Sequence, residues 1–146
     1  MNLLSEFLTT LATPGDQPYN WYAWIDNQMG HAMLGTLLAA LALFLGAPPL
    51  AAFLVPLGLA VAKELLDLLR RPLQPRWLRD SAKDVFYWAV GALLAVALWA
   101  HDPLTAGLAV LAGASMAVGS ILPRMRAGYA NRLRHQGRRG AATGGN

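Results

Sequence analysis

The sequence predicts an all-α integral membrane protein, a bundle of four transmembrane helices with a short N-terminal amphipathic helix and a basic C-terminal tail. Three observations carry that prediction. Of 146 residues, 55% are hydrophobic and 14% charged, too apolar a balance for an ordinary soluble domain. The apolar residues gather in runs of membrane-spanning length. The basic residues keep to one set of the connections between those runs, and to the span ends beside them. The length allows one domain, and the absence of cysteine removes disulfides and thiol chemistry.

Residues 3–12 place Leu3, Leu4, Phe7, Leu8 and Leu11 on one helical face, with Ser5, Glu6, Thr9 and Thr10 opposite. This pattern predicts an amphipathic helix lying on the membrane surface. Met1 to Ala12 lacks the basic start and unbroken apolar stretch of a signal peptide, so all the spans are expected to be kept. Residues 13–19, with two prolines and a glycine, read as a loop, completing an interfacial segment over 1–19.

The transmembrane domain is expected over 20–123. Asn20 suits a helix N-cap, and Trp21, Tyr22 and Trp24 suit the headgroup level. The first span runs from about 25 to 46, with Asp26, Asn27 and His31 near its start. Asp26 sits well for the N-terminal dipole, and Gly30 and Gly35 leave room for another helix. After the Ala47-Pro48-Pro49 turn, the second span covers 49–69, with a kink expected at Pro56 and Gly58. Residues 72–79 read as a connection and 81–100 as the third span. Asp102 and Pro103 then start the fourth, 104–122, as cap and first helical residue. Its Gly113-x-x-x-Ala117 and Ser115-x-x-x-Gly119 spacings predict close helix contact. Residues 124–146 form the basic tail, whose first part can extend the fourth helix along the interface, with disorder expected from Gly137 to Asn146.

Four spans put the turns at 46–49 and 100–103 on one side of the membrane. The termini and the 70–80 connection fall on the other. All twelve Lys and Arg lie on or near that second side, which is therefore the cytoplasm. The expected location is a bacterial inner membrane, multi-pass, with both termini cytoplasmic. The net charge of +4 beside apolar spans points to anionic lipid headgroups rather than nucleic acid. Arg70, Arg71, Arg76 and Arg79 in the connection, and Arg124, Arg126, Arg132 and Arg134 in the tail, are the candidate headgroup contacts. A homo-oligomer or a membrane protein partner is also compatible with the small-residue spacings.

This orientation brings polar groups from three spans to one depth. Asn27 and His31, then Lys63, Glu64 and Asp67, then Asp80, Lys83 and Asp84 make a candidate polar cluster at the cytoplasmic mouth. Charges beside apolar spans are costly unless paired, solvated or used. Several members have plainer roles. Ser81-x-x-Asp84 fits a capping box, Asp67 and Arg71 are spaced as a surface pair, and Lys63 can snorkel. His31 can donate to a nearby carbonyl. Glu64 has no such alternative. His31, Glu64, Asp67, Asp80 and Asp84 are the metal candidates, a carboxylate-rich set suited to Mg²⁺ or Mn²⁺. A structural ion-pair network is the stronger reading, so no cofactor is expected. The sequence has no Walker loop, no H-E-x-x-H and no G-x-S-x-G, and it gives no catalytic residue.

Gly30-His31-x-x-x-Gly35, Lys63-Glu64-x-x-Asp67 and Asp80-x-x-x-Asp84 with Gly91 together resemble the VanZ-like group of small polytopic membrane proteins. The resemblance covers roughly 26–91 and implies an association with the cell envelope, without an established reaction. In layout alone, with few spans and a basic tail, the chain also resembles phage holins. Three functions follow as expectations. The first is a non-enzymatic membrane protein whose polar cluster organises the bundle and binds a partner or a lipid headgroup. The second is a holin-like pore former. The third is a membrane enzyme acting on a lipid phosphate with a divalent cation.

Overall fold

The computed structural model describes the backbone of residues 21–70 and 74–143, and the side chains of these apart from 76 and 131–143. Among the described residues the chain is all-α. Helix α1 is Trp21–Phe44, α2 Pro49–Leu69, α3 Pro75–Trp99 and α4 Pro103–Thr143. The expected helix at 3–12, the 13–19 loop, the Asn20 cap and Arg71 lie outside the described residues.

The ends of the helices follow local chemistry. α1 closes with Gly46 at φ 86°. Its N–H donates to Leu43 O at 3.0 Å, and the Ala47 N–H to Ala42 O at 2.9 Å. This double capping of orphan carbonyls needs a left-handed residue, which glycine adopts without strain. Pro48 is extended and Pro49 opens α2, where a missing N–H costs nothing. The turn between α3 and α4 repeats the device with His101 in the left-handed position, at φ 54°. His101 donates to Leu98 O at 3.2 Å and Asp102 to Ala97 O at 2.9 Å. Asp102 then caps α4, accepting the Thr105 N–H at 3.1 Å and the Thr105 hydroxyl.

Two boundaries differ from the sequence expectation. α3 begins at Pro75, not near Ser81, because Gln74 takes the extended conformation that precedes a helix and Pro75 enters the first turn. Ser81 and Asp84 are therefore inside the helix, and the capping box is not formed. α4 runs on past 122 and Pro123, as the reading of the first part of the tail allowed, but continues as far as Thr143. The backbone from Gly137 to Thr143 is helical where disorder was expected. The Arg, Leu, Ala and Gln between 124 and 136 are good helix formers, which favours the extension. Asp26 lies beyond the first turn of α1, which contains no acidic residue, and is exposed rather than placed for the dipole.

By packing, the chain forms two units, one of which is Gln28–Ser115. Within it α3 is the hub. α2 packs along α3. Ala39 of α1 meets Ala92 and Ala95 of α3 in a buried seam, with Phe53 of α2 against it. On the α4 side, the Tyr87 hydroxyl donates to Gly113 O at 3.2 Å, and Val90 lies against the open face of Gly113. In the other unit, residues 21–27 accompany those from Met116 onward. There the Arg124 guanidinium lies 4.5 Å from the centroid of the buried Trp24 ring and donates to Ser120 O at 3.0 Å.

The distribution of side chains inverts that of a water-soluble core. Alanines, Gln28, His31 and Glu64 are buried, whereas Leu37, Leu41, Leu54, Leu108 and Leu111 are each about half or more exposed. Two stretches, Trp77–Trp99 and Pro103–Ala130, are long and apolar enough to cross a membrane, with mean hydropathies of 1.4 and 1.8. At 23 residues the first is about 34 Å long, against roughly 30 Å of bilayer hydrocarbon.

Candidate functional site

On α1, Gln28, His31, Gly35 and Ala39 recur at helical spacing and are all buried. On α3, Trp88, Gly91, Ala92 and Ala95 are buried along a matching face, with Asp84 one turn before Trp88. The two faces meet backbone to backbone. A Cβ on Gly35 would overlap the carbonyl oxygen of Trp88, and one on Gly91 would overlap that of Ala32. Only glycine allows this approach. The Thr36 hydroxyl lies 2.9 Å from Ala32 O and 3.1 Å from Gly91 O, so its one proton serves either carbonyl.

One turn from that contact, four side chains form an interhelical polar clasp. Trp88 donates its indole N–H to His31 Nδ1 at 3.0 Å. An indole nitrogen only donates, so Nδ1 is the acceptor and the imidazole proton is on Nε2. His31 Nε2 faces Asp84 Oδ2 at 3.4 Å. Gln28 Nε2 donates to Asp84 Oδ1 at 2.8 Å. Both groups that face Asp84 in the clasp are side-chain nitrogens. Gln28 is 2% exposed, and its Oε1 is buried with no hydrogen-bond partner.

A second polar group lies on α2. Lys63 Nζ reaches Glu64 Oε1 at 2.6 Å and Asp67 Oδ2 at 3.1 Å. Lys63 is thus held by two carboxylates of its own helix, and Arg71, the partner expected for Asp67, lies outside the described residues. Glu64 is buried at 6% exposure, in line with Ala52, Pro56 and Ala60 on the packed stripe of α2.

Of the residues singled out from sequence, His31 and Asp84 come together across α1 and α3, and Lys63, Glu64 and Asp67 within α2. Asn27, Asp80 and Lys83 are half-buried, and each has an interaction of its own. Among the described residues no three His, Asp or Glu side chains group as a metal site. The divalent set of His31, Glu64, Asp67, Asp80 and Asp84 is therefore not assembled. His31 and Asp84 belong to the clasp, and Glu64 and Asp67 are occupied by Lys63. Of the glycines expected to admit a helix, Gly35 does so and Gly30 faces open space. Gly113 is approached by Val90, whereas Gly119 is open.

Sequence reasoning missed Gln28 and Trp88. Gln28 is three residues before His31, and Trp88 four after Asp84, so helical spacing alone places each pair on one face. Of the candidate headgroup contacts, Arg70 and Arg79 are exposed, and Arg79 donates to Pro75 O at 3.3 Å. Arg126 is also exposed. The side chains of Arg76, Arg132 and Arg134 lie outside the description. Comparison with known proteins finds no matching family model, no similar curated protein and no similar solved structure.

Proposed function

We propose that the chain is a multi-pass protein of a bacterial inner membrane whose buried polar clasp fixes the helix arrangement and whose basic face holds anionic lipid headgroups. The observation that carries this reading is the clasp itself. Gln28, His31, Asp84 and Trp88 tie two helices at a glycine contact, inside a shell of outward-facing leucines. In hydrocarbon, exposed leucines supply no force between helices, so close packing and interhelical hydrogen bonds must do so. The VanZ-like spacing supports an envelope-related role.

The four-span topology, with both termini cytoplasmic, rests on the Lys and Arg distribution. A reporter active only in the periplasm should give signal when fused at Pro48 and at Asp102. Signal from a fusion after Arg139 would overturn the topology. In native mass spectrometry the purified chain should retain anionic lipid. Replacing Arg70, Arg79 and Arg126 together by Gln should release it. Equal retention of zwitterionic lipid would remove the headgroup role. Collapse of membrane potential on timed induction would replace the reading with a holin-like one.

A further inference from the structure

We propose that the tip of the α1–α2 hairpin is seated in lipid hydrocarbon, while the α3–α4 turn at the same end of the bundle reaches headgroups and water. The inference rests on the membrane reading above and adds to it a tilt of the Gln28–Ser115 unit.

Three observations lead there. First, no side chain from Leu37 to Ala62 carries a nitrogen or an oxygen. That run covers the end of α1, the turn and most of α2. The α3–α4 turn instead holds Trp99, His101 and Asp102, an aromatic, a base and an acid suited to the headgroup level. Leu98 and Leu104 are exposed there too, but the polar pair lies between them. Second, Phe44 at the tip is 80% exposed, Leu45 74% and Leu50 68%. They prolong the outward row of Leu37, Leu41 and Leu54 with no polar break. Third, the backbone of the tip asks little of water. Leu45 donates to Leu41 O at 3.0 Å, Gly46 and Ala47 donate back into α1, and Pro48 and Pro49 have no N–H. What remains is carbonyl oxygens and the first N–H groups of α2, which hydrocarbon tolerates only near its edge. The seat is therefore shallow.

In water, Phe44, Leu45 and Leu50 would form a contiguous apolar patch, which calls for a cover. Continuity selects the cover: the tip carries on the leucine surface that the membrane reading already gives to acyl chains. The two turns lie at one level along the helices. Thr36 of α1 meets Gly91 of α3, and Phe44 and Trp99 are each about 12 Å further on. Placing one turn in hydrocarbon and the other at the headgroups therefore tips the unit towards its α1–α2 side.

The chain has no cysteine, so a single introduced cysteine carries a nitroxide at a chosen site. The full chain is labelled at Leu45→Cys, Leu54→Cys or His101→Cys in liposomes of phosphatidylcholine and phosphatidylglycerol. Power saturation compares collisions with oxygen, which concentrates in hydrocarbon, and with a neutral nickel chelate, which stays in water. The oxygen-to-nickel ratio at Leu45→Cys should approach that at Leu54→Cys and exceed that at His101→Cys severalfold. Ala47→Cys, in the turn itself, is the second probe of the tip and should agree with Leu45→Cys. Nickel access at both tip sites equal to that at His101→Cys would overturn the proposal, since the tip would then stand in water. Shielding of both from oxygen and nickel alike would also overturn it, with a second copy or another protein as the cover. A water-like label at Leu54→Cys would remove the membrane reading itself, and the tip proposal with it.

Discussion

Trp88 of α3 donates its indole N–H to Nδ1 of His31 on α1 at 3.0 Å, and this one bond sets both the tautomer and the orientation of the imidazole. With Nδ1 accepting, the Nε2 proton is directed at Asp84. Trp88→Phe keeps most of the ring volume and removes the donor. It leaves Nδ1 buried without a partner, so it should cost about 1–3 kcal/mol of folding stability. A midpoint unchanged in thermal unfolding would show that the ring packs without holding His31.

The glycine contact is expected to be less forgiving. Gly35→Ala and Gly91→Ala each force a methyl group into a backbone carbonyl, which cannot swing aside as a side chain can. Each should cost at least the roughly 1–3 kcal/mol typical of overpacking. Gly30→Ala meets nothing within 4 Å and should be neutral or stabilising by about 0.5–1 kcal/mol, the usual gain for alanine within a helix. Folded yield after detergent extraction separates the two sets. Equal behaviour of Gly30→Ala and Gly35→Ala would contradict the close approach.

On α2 the cation matters more than either anion. Lys63→Met strands the buried Glu64 and the neighbouring Asp67 without their partner. Breaking a fully buried pair costs more than breaking a surface one, and Lys63 is partly exposed, so about 2 kcal/mol is expected. Glu64→Gln leaves Lys63 bound to Asp67 and should cost less, under about 1 kcal/mol. A larger loss for Glu64→Gln than for Lys63→Met would reverse this assignment.

The turn before α4 offers a stabilising change. His101 occupies the left-handed region, which costs a residue with a Cβ roughly 1–2 kcal/mol. His101→Gly should therefore raise stability by about 1 kcal/mol, after allowing for glycine's greater freedom in the unfolded chain. His101→Val should lower it. Thermal midpoints that move the other way would place the strain elsewhere.

Asp102 gives the same turn a dependence on pH. The Thr105 hydroxyl, and then its backbone N–H, hold the Asp102 carboxyl below its ordinary value of 3.8. A carboxyl whose folded pKa is depressed stabilises fully above its unfolded value. That contribution is lost as pH falls from there through the lower, folded one. Asp102→Asn keeps a capping oxygen but does not ionise. The gap in midpoint between the native chain and Asp102→Asn should thus close as pH drops below the ordinary aspartate value. A gap that is constant across that range would mean that the charge contributes nothing.

What could be read beforehand depended on how local the signal was. Pro48-Pro49 and Asp102-Pro103 carry their conformational instructions within a few residues, and both turns lie where they were expected. The start of α3 did not follow from the same kind of reasoning. Pro72 and Pro75 lie within a basic stretch that reads as a connection, and it is Gln74 in its extended conformation, with Pro75 in the first turn, that starts the helix earlier. His31 and Asp84 were legible as costly groups at one depth. Their true neighbours, Gln28 and Trp88, were not, because an amide and an indole raise no alarm beside a charge. Gly30 and Gly35 look alike in sequence, and what separates them is the face each presents to α3.

The Gly35–Gly91 contact has a mechanical side. α1 and α3 run in the same direction, with His31 and Ala39 each about 6 Å along the axis from Gly35, one on either side. Backbone touches backbone at the midpoint, so the glycines act as a fulcrum with arms of equal length. Rocking α1 about it opens the Asp84 end as it presses Ala39 towards Ala92 and Ala95, where there is no side-chain length left to yield.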